Sequence, residues 1–326
     1  MATETLLEIK NLSTYFDTKD GVLKAVNDVS FNIDRGEILG IIGESSAGKT
    51  VIASSIMRLI PYPGKIINGE IMFKNENILK KSSSEMSKIR GNEIAMIFQD
   101  PMSCLNPVFT IGDQITSGIQ AHKKITKKEG YLAAVKALEE VQISAPENRV
   151  NGYQHELSGG MKQRVMIALA LINQPELIIA DNPTTALDST IQLQFLNLIL
   201  NLRKEHNTTI LYITHDFGVI AKLCDRVAVL YAGEIVEIGT VFDVLTKPKH
   251  PYTIGLINSS LSPGMERKGI KAIRGKTPDM TKLKTGCKFA ERCDQKFDDC
   301  VKQNINMLET GHSDKSHKAR CLLHRS

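Results

Sequence analysis

The hydrophobic positions of the chain change period several times, and their order predicts a protein of alternating strands and helices. Residues 6–12 and 25–33 alternate apolar and polar side chains around a turn containing Asp20 and Gly21, which predicts an antiparallel hairpin. Further strands are predicted at residues 38–42, 69–73, 94–98, 175–181, 209–214, 226–231 and 234–239. Helices are predicted at residues 51–59, 158–173 and 188–205. This alternation indicates an α/β fold.

Two stretches depart from the alternation. Residues 111–157 are rich in helix formers, and residues 131–142 place apolar side chains at helical spacing. We therefore expect a helical subdomain over about residues 111–173. After residue 245 the alternation ends, and the prolines within residues 246–251 predict a linker. The expected organisation is an α/β domain of residues 1–245 and a small irregular extension of residues 246–326.

Composition agrees with a soluble globular chain. Of its 326 residues, 42% are hydrophobic and 24% are charged, which is ordinary for a protein that buries a core. No run approaches the roughly 18 consecutive apolar residues of a membrane-spanning helix. The N-terminal segment has neither a basic start nor a long apolar core, so no secretory signal is predicted and a cytoplasmic chain is expected.

The positive charge is concentrated near the C-terminus. The formal net charge is +5, and residues 263–326 hold fifteen Lys or Arg against eight Asp or Glu. Nucleic acid, an anionic membrane surface or plain solvation would each account for such a basic segment. Only two aromatic residues, Phe289 and Phe297, stand among these charges, which is sparse for the repeated base stacking of a nucleic-acid surface, so we expect no nucleic-acid partner.

A glycine-rich segment between the strand at 38–42 and the following helix is the first candidate for chemistry. It fits the pattern G-x-x-x-x-G-K-[ST], in which backbone N–H groups cradle phosphates, the lysine reaches the terminal phosphates and the hydroxyl holds Mg²⁺. Its residues are Gly43, Glu44, Ser45, Ser46, Ala47, Gly48, Lys49 and Thr50. The alternative is a glycine-rich turn without a ligand. The strand before it and the helix after it favour a polyphosphate site.

Other polar residues stand at predicted element ends. Ser158 is a natural helix N-cap, and Gly159 and Gly160 after it allow an anion to approach the helix start. Asp181 ends an apolar strand, where a carboxylate can hold Mg²⁺ through water. His215 follows another strand.

Two aromatic residues precede the glycine-rich segment. Tyr15 and Phe16 are equally compatible with stacking on a nucleobase and with burial at a sheet edge.

Six segments, in this order, resemble the motifs of ABC ATPases. They are a Walker A loop at residues 43–50, a Q-loop at Gln99, a signature of Leu157, Ser158, Gly159, Gly160, Met161, Lys162 and Gln163, a Walker B strand ending at Asp181, a D-loop of Ala186, Leu187 and Asp188, and a switch histidine at His215. The resemblance implies a P-loop NTPase core with an antiparallel β subdomain and a helical signature subdomain. It also implies ATP as ligand, with Mg²⁺ held by Thr50, Gln99 and Asp181, at a head-to-tail dimer of ATPase subunits.

Three further stretches are similar to the ATP-binding subunits of dipeptide and oligopeptide importers. They lie at residues 95–107, 250–253 and 286–293. The resemblance implies a peripheral protein at the cytoplasmic face of the cell membrane, docked on two permease subunits and served indirectly by an extracellular binding protein. Importers of nickel, opine-like or glutathione cargo use similar ATPases. A soluble ABC ATPase of DNA repair or translation is less expected, because the 58 residues between Gln99 and Ser158 are too few for a coiled coil.

The chain departs from the family pattern at two positions. Asn182 stands where the family carries a glutamate general base, and a carboxamide cannot accept a proton from water. Loss of a general base typically lowers a rate by roughly 10²–10⁴. We therefore expect a degenerate site on this subunit's own loop, paired in a heterodimer with a competent site that uses its intact signature. A non-hydrolysing regulatory subunit and a deliberately introduced asparagine are the alternatives.

Ser46 is the second departure, since it replaces a common glycine of the loop. If that position has a positive φ, serine costs on the order of 1 kcal/mol.

Cysteines are concentrated in the extension. Cys287, Cys293, Cys300 and Cys321 lie within the last forty residues, and such clustering in a cytosolic chain favours metal ligation over disulfides. Their spacing is not that of zinc fingers, and four thiolates can hold a [4Fe-4S] cluster. The resemblance implies such a cluster, with structural Zn²⁺ or free buried thiols as alternatives. Cys104 and Cys224 are expected to be packing residues.

Overall fold

The computed structural model describes residues 4–100, 104–184, 189–259, 273–310 and 317–325. The chain divides into two compact units, one formed by Met1–Leu79 and Tyr212–Ser326 and the other by Lys80–Leu211.

The described residues contain twelve strands. They are β1 (Thr5–Thr18), β2 (Gly21–Asp34), β3 (Ile38–Ile42), β4 (Gly64–Phe73), β5 (Glu76–Asn77), β6 (Ile94–Ile97), β7 (Leu177–Asp181), β8 (Thr209–Thr214), β9 (Arg226–Tyr231), β10 (Glu234–Thr240), β11 (Leu308–Glu309) and β12 (Lys318–Ala319). Every strand predicted from the sequence is present, and the largest differences in length are at β1, β2 and β4.

The same residues contain ten α-helices. They are α1 (Lys49–Ile56), α2 (Ser83–Ile89), α3 (Ile111–Gln120), α4 (Lys127–Glu140), α5 (Pro146–Arg149), α6 (Gly159–Leu171), α7 (Ser189–His206), α8 (Phe217–Leu223), α9 (Val241–Thr246) and α10 (Pro251–Ser259). The alternation of these helices with the strands confirms the predicted α/β class.

An antiparallel sheet in the first unit has the strand order β2-β1-β4-β5. The predicted hairpin is β1 with β2, whose register pairs Leu7 with Ile33 near one end and Thr18 with Gly21 at the turn. Leu7 and Ile9 are almost fully buried, because the alternation of the strand points both side chains to the same face. Leu12 is also buried, after a shift of the register between Ile9 and Leu12.

In the first unit, β3, β9 and β10 belong to a mixed sheet, and β3 leads into the glycine-rich segment. β9 pairs in parallel with β3 and antiparallel with β10. The C-terminal extension adds β12 to the other side of β10, with Glu237 opposite Ala319, and β11 pairs with β12. Sequence analysis did not predict these two short strands. They make the extension part of the same sheet as β3.

The second unit holds parallel strands β6 and β7 and most of the described helices. β6 pairs with β7 from Ile94 opposite Leu177 to Ile97 opposite Ala180. The predicted helical subdomain is present as α3, α4 and α6, which pack on one another. The Thr126 hydroxyl caps α4 by accepting from Glu129 N, and the Glu129 carboxylate accepts from Thr126 N, which is a capping box.

Within the predicted linker over residues 246–251, residues 247–250 connect α9 to α10 and are packed against the first unit. The backbone N–H groups of Lys249 and His250 each donate to the Glu237 carboxylate at 2.8 Å, and His250 is 1% exposed. Pro251 is the first residue of α10, a position where its missing N–H costs nothing. The prolines therefore mark the start of a packed helix, and the segment is anchored to β10.

Candidate functional site

The phosphate loop, as we call residues 43–50, connects β3 to α1. β3 is fully buried along its length, and α1 begins at Lys49. Ser46 has φ 65° and Gly48 has φ 105°, so two left-handed residues turn the chain tightly into the helix. The condition stated for Ser46, a positive φ, is thus met. A β-carbon at Gly43 would lie 2.2 Å from the Leu230 carbonyl oxygen, so this position has room for glycine only.

The hydrogen bonds of the loop centre on the Lys49 ammonium group. Its Nζ donates to the carbonyl oxygens of Gly43 at 2.8 Å and Glu44 at 2.9 Å. Lys49 is 7% exposed, whereas the neighbouring Thr50 is exposed. A buried, fixed positive charge at the start of a helix, beside an accessible hydroxyl, is the arrangement that binds a polyphosphate with its metal.

Residues near β2 and β9 form a hydrogen-bond network that reaches the phosphate loop. Gly233 N donates to the Ala47 carbonyl oxygen at 2.9 Å, and Asn27 N donates to the Gly233 carbonyl oxygen at 2.8 Å. Tyr15 donates its hydroxyl hydrogen to Asn27 Oδ1 at 2.6 Å, so this predicted aromatic is held in the same network. The Phe16 ring lies beside Gly64, where a β-carbon would be only 2.5 Å from the ring. Both rings are half-buried.

β7 ends at Asp181 in the second unit, and Asn182 follows it directly. Asp181 is 2% exposed, and its Oδ1 accepts a hydrogen bond from Asn182 Nδ2 at 3.1 Å. Asn182 has φ 45°, a left-handed conformation that asparagine tolerates better than most residues. The amide group thus donates to the carboxylate predicted to hold Mg²⁺. Gln99, also in this unit, lies exposed two residues after β6 ends at Ile97.

The signature segment forms the start of α6 in the same unit. The Ser158 hydroxyl oxygen accepts from Met161 N at 3.3 Å, which confirms the predicted N-cap. Ser158 and Gly159 are exposed, and a β-carbon on Gly159 would have no atom within 4 Å. Lys162 and Gln163, one turn later, are buried. The start of α6 is therefore open to solvent, whereas the next turn of the helix is packed in the interior.

His215 and the D-loop complete the predicted set. His215 is exposed and follows β8 directly in the first unit. The next residue, Asp216, caps α8 through a 2.7 Å hydrogen bond from Gly218 N to its Oδ1. Ala186, Leu187 and Asp188 lie outside the described residues.

Comparison with known proteins identifies the family of this chain. The ABC transporter family matches residues 26–185, and the family described as oligopeptide/dipeptide transporter, C-terminal region, matches residues 236–300. The oligopeptide transport ATP-binding protein OppD of Bacillus subtilis is 50% identical over 291 residues, which cover 88% of this chain and 81% of that protein. The chain belongs to the ATP-binding proteins of oligopeptide and dipeptide ABC transporters.

Other members of this ABC family match over nearly their whole length. The dipeptide transport ATP-binding protein DppD of Bacillus subtilis is 43% identical over 98% of this chain and 95% of its own. Among solved structures, the cassette MJ0796 bound to ADP and phosphate has a TM-score of 0.66 and 29% identity, covering 72% of this chain and 99% of its own. The predicted P-loop NTPase fold is thereby confirmed. No helix in the part of the ABC subunit that the structure describes is long and apolar enough to cross a bilayer.

The four cysteines of the ABC subunit's extension line one small cavity, together with His250. Cys287 N donates to the Cys300 carbonyl oxygen at 2.7 Å, which joins two of the cysteine segments. Burial raises the pKa of the Cys287 thiol to about 12 and raises the pKa values of Cys293 and Cys321 as well, with the neighbouring cysteines adding to each shift. Four thiols around one cavity are a suitable donor set for iron–sulfur or zinc. Among the described residues, however, no three His, Cys, Asp or Glu side chains form a ready-made metal site.

The remaining two cysteines lie elsewhere. Cys224 packs against the apolar core of the first unit, as predicted. Cys104 Sγ donates to the Asp100 carbonyl oxygen at 3.2 Å.

Sequence analysis missed two residues that contact the phosphate loop. Arg292 and Tyr252, both in the C-terminal extension, are hydrogen-bonded to Glu44. Arg292 precedes Cys293 within the stretch that resembled the family, but nothing in that pattern indicates a partner 248 residues away. Only the fold reveals the contact.

Proposed function

We propose that this chain binds and hydrolyses ATP to power the uptake of di- or oligopeptides through a membrane permease. The phosphate loop carries the proposal, because it fixes a buried lysine at a helix start beside an exposed threonine. The cargo follows from the relatives, which are named as oligopeptide and dipeptide transport ATP-binding proteins. Nickel or glutathione-like cargo is the alternative within the same transporter type.

The proposed roles follow the chemistry of each side chain. Lys49 neutralises charge on the transferring phosphoryl group, and Thr50, Gln99 and Asp181 position Mg²⁺. His215 donates to the γ-phosphate. Tyr15 or Phe16 stacks on adenine. The backbone of residues 43–50 holds the phosphates.

Asn182 supports a slow site on this subunit's own loop. The residue stands at the position of the general base, and its Nδ2 donates to Asp181 Oδ1. A carboxamide can hydrogen-bond a water molecule but cannot accept its proton. Binding of ATP requires only the loop, the lysine and the metal ligands, whereas fast hydrolysis requires a base. This subunit is therefore proposed to retain ATP and turn it over slowly.

The signature surface supports a heterodimer with a second ABC ATPase. Ser158 and Gly159 are exposed at a capped helix start, the arrangement that a γ-phosphate bound by another subunit needs. The MJ0796 cassette is described as dimeric. Two permease subunits and, indirectly, an extracellular binding protein complete the proposed assembly at the cytoplasmic face of the membrane. A regulatory subunit that never hydrolyses ATP is the second candidate, and Asn182 is the observation that favours it.

A coupled transport assay tests this function. The purified chain, the partner ATPase and the permease are reconstituted in liposomes, and ATP turnover and entry of labelled dipeptide are measured together. Peptide entry should require MgATP and this subunit, and the isolated chain should hydrolyse ATP only slowly. Brisk turnover by the isolated chain would contradict the degenerate site, and peptide-independent turnover without uptake would contradict the transport function. A regulatory role predicts that turnover in the complex survives loss of Lys49 in this subunit.

We also propose that Cys287, Cys293, Cys300 and Cys321 hold a [4Fe-4S] cluster, with Zn²⁺ as the alternative. Burial disfavours free thiolates here, and a bound metal would stabilise the thiolate form. Such a cluster would cross-link the extension and could exchange one electron. Protein purified without oxygen should be brown, with about four irons and four sulfides per chain as the cluster formula requires. A colourless, iron-free preparation containing one equivalent of zinc would support the alternative.

A further inference from the structure

The C-terminal extension is hydrogen-bonded to the phosphate loop at one residue, Glu44. Arg292 Nη1 and Nη2 donate to Glu44 Oε2 and Oε1 at 2.8 and 2.9 Å. This is a bidentate pair, which fixes direction as well as distance. The Arg292 side chain is 7% exposed and that of Glu44 is 22% exposed, so water competes little for the contact.

The backbone of the same loop residue is held by a second residue of the extension. Glu44 N donates to the Tyr252 hydroxyl oxygen at 2.9 Å. Tyr252 is fully buried, and burial raises the pKa of its phenol well above the usual range. The hydroxyl therefore remains neutral at physiological pH, and its oxygen is a constant acceptor for the loop.

Arg292 is itself held rigidly. Its Nε donates to the Arg274 carbonyl oxygen at 2.9 Å, and its Nη1 donates to the Tyr231 hydroxyl at 3.2 Å. The guanidinium carbon lies 5.7 Å from the centre of the Tyr231 ring and 5.8 Å from that of Phe289. Contacts on several sides restrict the guanidinium to one orientation, so it transmits the position of the extension to Glu44.

Glu44 connects the extension to Lys49. Its side chain is bound by Arg292, its N–H by Tyr252, and its carbonyl oxygen accepts from Lys49 Nζ at 2.9 Å. All three polar parts of one residue are thus engaged. The location of the Lys49 ammonium group depends on a peptide unit that the extension fixes from two directions.

We propose that Arg292 and Tyr252 are positioning residues for nucleotide, through which the C-terminal extension sets the affinity of the phosphate loop for MgATP. The proposal rests on the function proposed above, since it takes ATP to be the ligand of residues 43–50. It adds that the extension acts on the nucleotide site of its own subunit. Neither residue needs to touch ATP for this effect.

Nucleotide binding by substituted full-length protein tests the proposal. The dissociation constant for MgATP is measured by titration calorimetry for the wild type, R292Q, R292K and Y252F. We expect R292Q to raise the constant about tenfold, R292K to restore part of the loss and Y252F to raise it severalfold. Adding E44Q to R292Q should weaken binding little further, because the two residues act as one unit.

A matched control separates positioning from general stability. Arg226 pairs with Glu37 at 3.0 Å in the same unit, with side chains 22% and 10% exposed, and has no described contact with the loop. R226Q should lower the melting temperature as R292Q does but leave the MgATP constant unchanged. If the wild type binds MgATP and R292Q and Y252F bind it equally well, the positioning role is overturned and the proposed function stands. If the wild type fails to bind MgATP, both are overturned.

Discussion

The phosphate loop and the signature segment both begin a helix with glycine-rich backbone, but they are built in opposite ways. In the phosphate loop, β-carbons at Gly43 and Gly48 would each lie 2.2 Å from a carbonyl oxygen of a neighbouring strand. In the signature segment, Gly159 has no neighbour within 4 Å of that position. Glycine is thus required in the first segment by this chain's own packing. In the second it leaves a surface open, which suits a ligand held by another molecule.

The largest effect predicted from this comparison is on ATP turnover, at Asn182. If this subunit holds ATP on its own loop and serves hydrolysis through its signature, then N182E should supply the missing base and raise ATP turnover at its own site. The expected gain is roughly 10²–10⁴-fold, measured as phosphate release. N182Q is the matched control, because it lengthens the side chain without providing a base. Equal rates for N182E, N182Q and the wild type would show that the base is not what limits the site.

Alanine substitution of single glycines compares the packing of the two segments directly. G43A should destabilise the first unit by about 3 kcal/mol or more, because its methyl group meets a backbone oxygen. G159A should change the free energy of unfolding by less than about 0.5 kcal/mol and yet reduce turnover by the assembled ATPases. Urea unfolding and phosphate release provide the two readouts. A large loss of stability in G159A would mean that the signature surface is packed within this chain.

The Ser158 cap gives a smaller effect. S158A removes the hydroxyl that accepts from Met161 N and should cost about 1 kcal/mol of stability. It should also slow turnover by the complex, since in the proposed heterodimer Ser158 contributes to the partner's nucleotide site. S82A is the control, because Ser82 caps α2 in the same way through Glu85 N. S82A should lose similar stability while turnover by the complex is retained. Equal turnover by S158A and S82A would show that Ser158 acts only as a helix cap.

Ser46 gives the smallest effect. S46G should relieve the left-handed strain and stabilise the protein by up to about 1 kcal/mol, partly offset by the greater flexibility of glycine in the unfolded chain. Ser45, its exposed neighbour, is not among the residues of positive φ. S45G should therefore be neutral or destabilising in the same thermal unfolding experiment. Stabilisation by both substitutions would point away from backbone strain at Ser46.

Local chemistry explains what the sequence could predict. The phosphate loop, the Ser158 cap and the conformation of Ser46 each depend on residues within a few positions, and the structure shows these local features. The packing of the linker could not be predicted, because it depends on Glu237, a distant residue on β10 that binds the amides of Lys249 and His250. β12 was not predicted, because a segment of two residues is too short to show an alternation of apolar and polar side chains. It forms a strand only by pairing with β10. The bidentate bond from Arg292 to Glu44 is equally invisible, since neither residue has a local pattern that requires the other.

That bond also has a consequence for the order in which the protein is made. The ribosome completes residues 43–50 early, whereas Arg292 is added 248 residues after Glu44. At about 5–20 residues per second, this interval lasts on the order of 10 to 50 s. A nascent chain carries the whole loop motif through that time without the arginine that aligns it. On the positioning role proposed for Arg292, the loop of such a nascent chain binds MgATP more weakly than the loop of the folded protein.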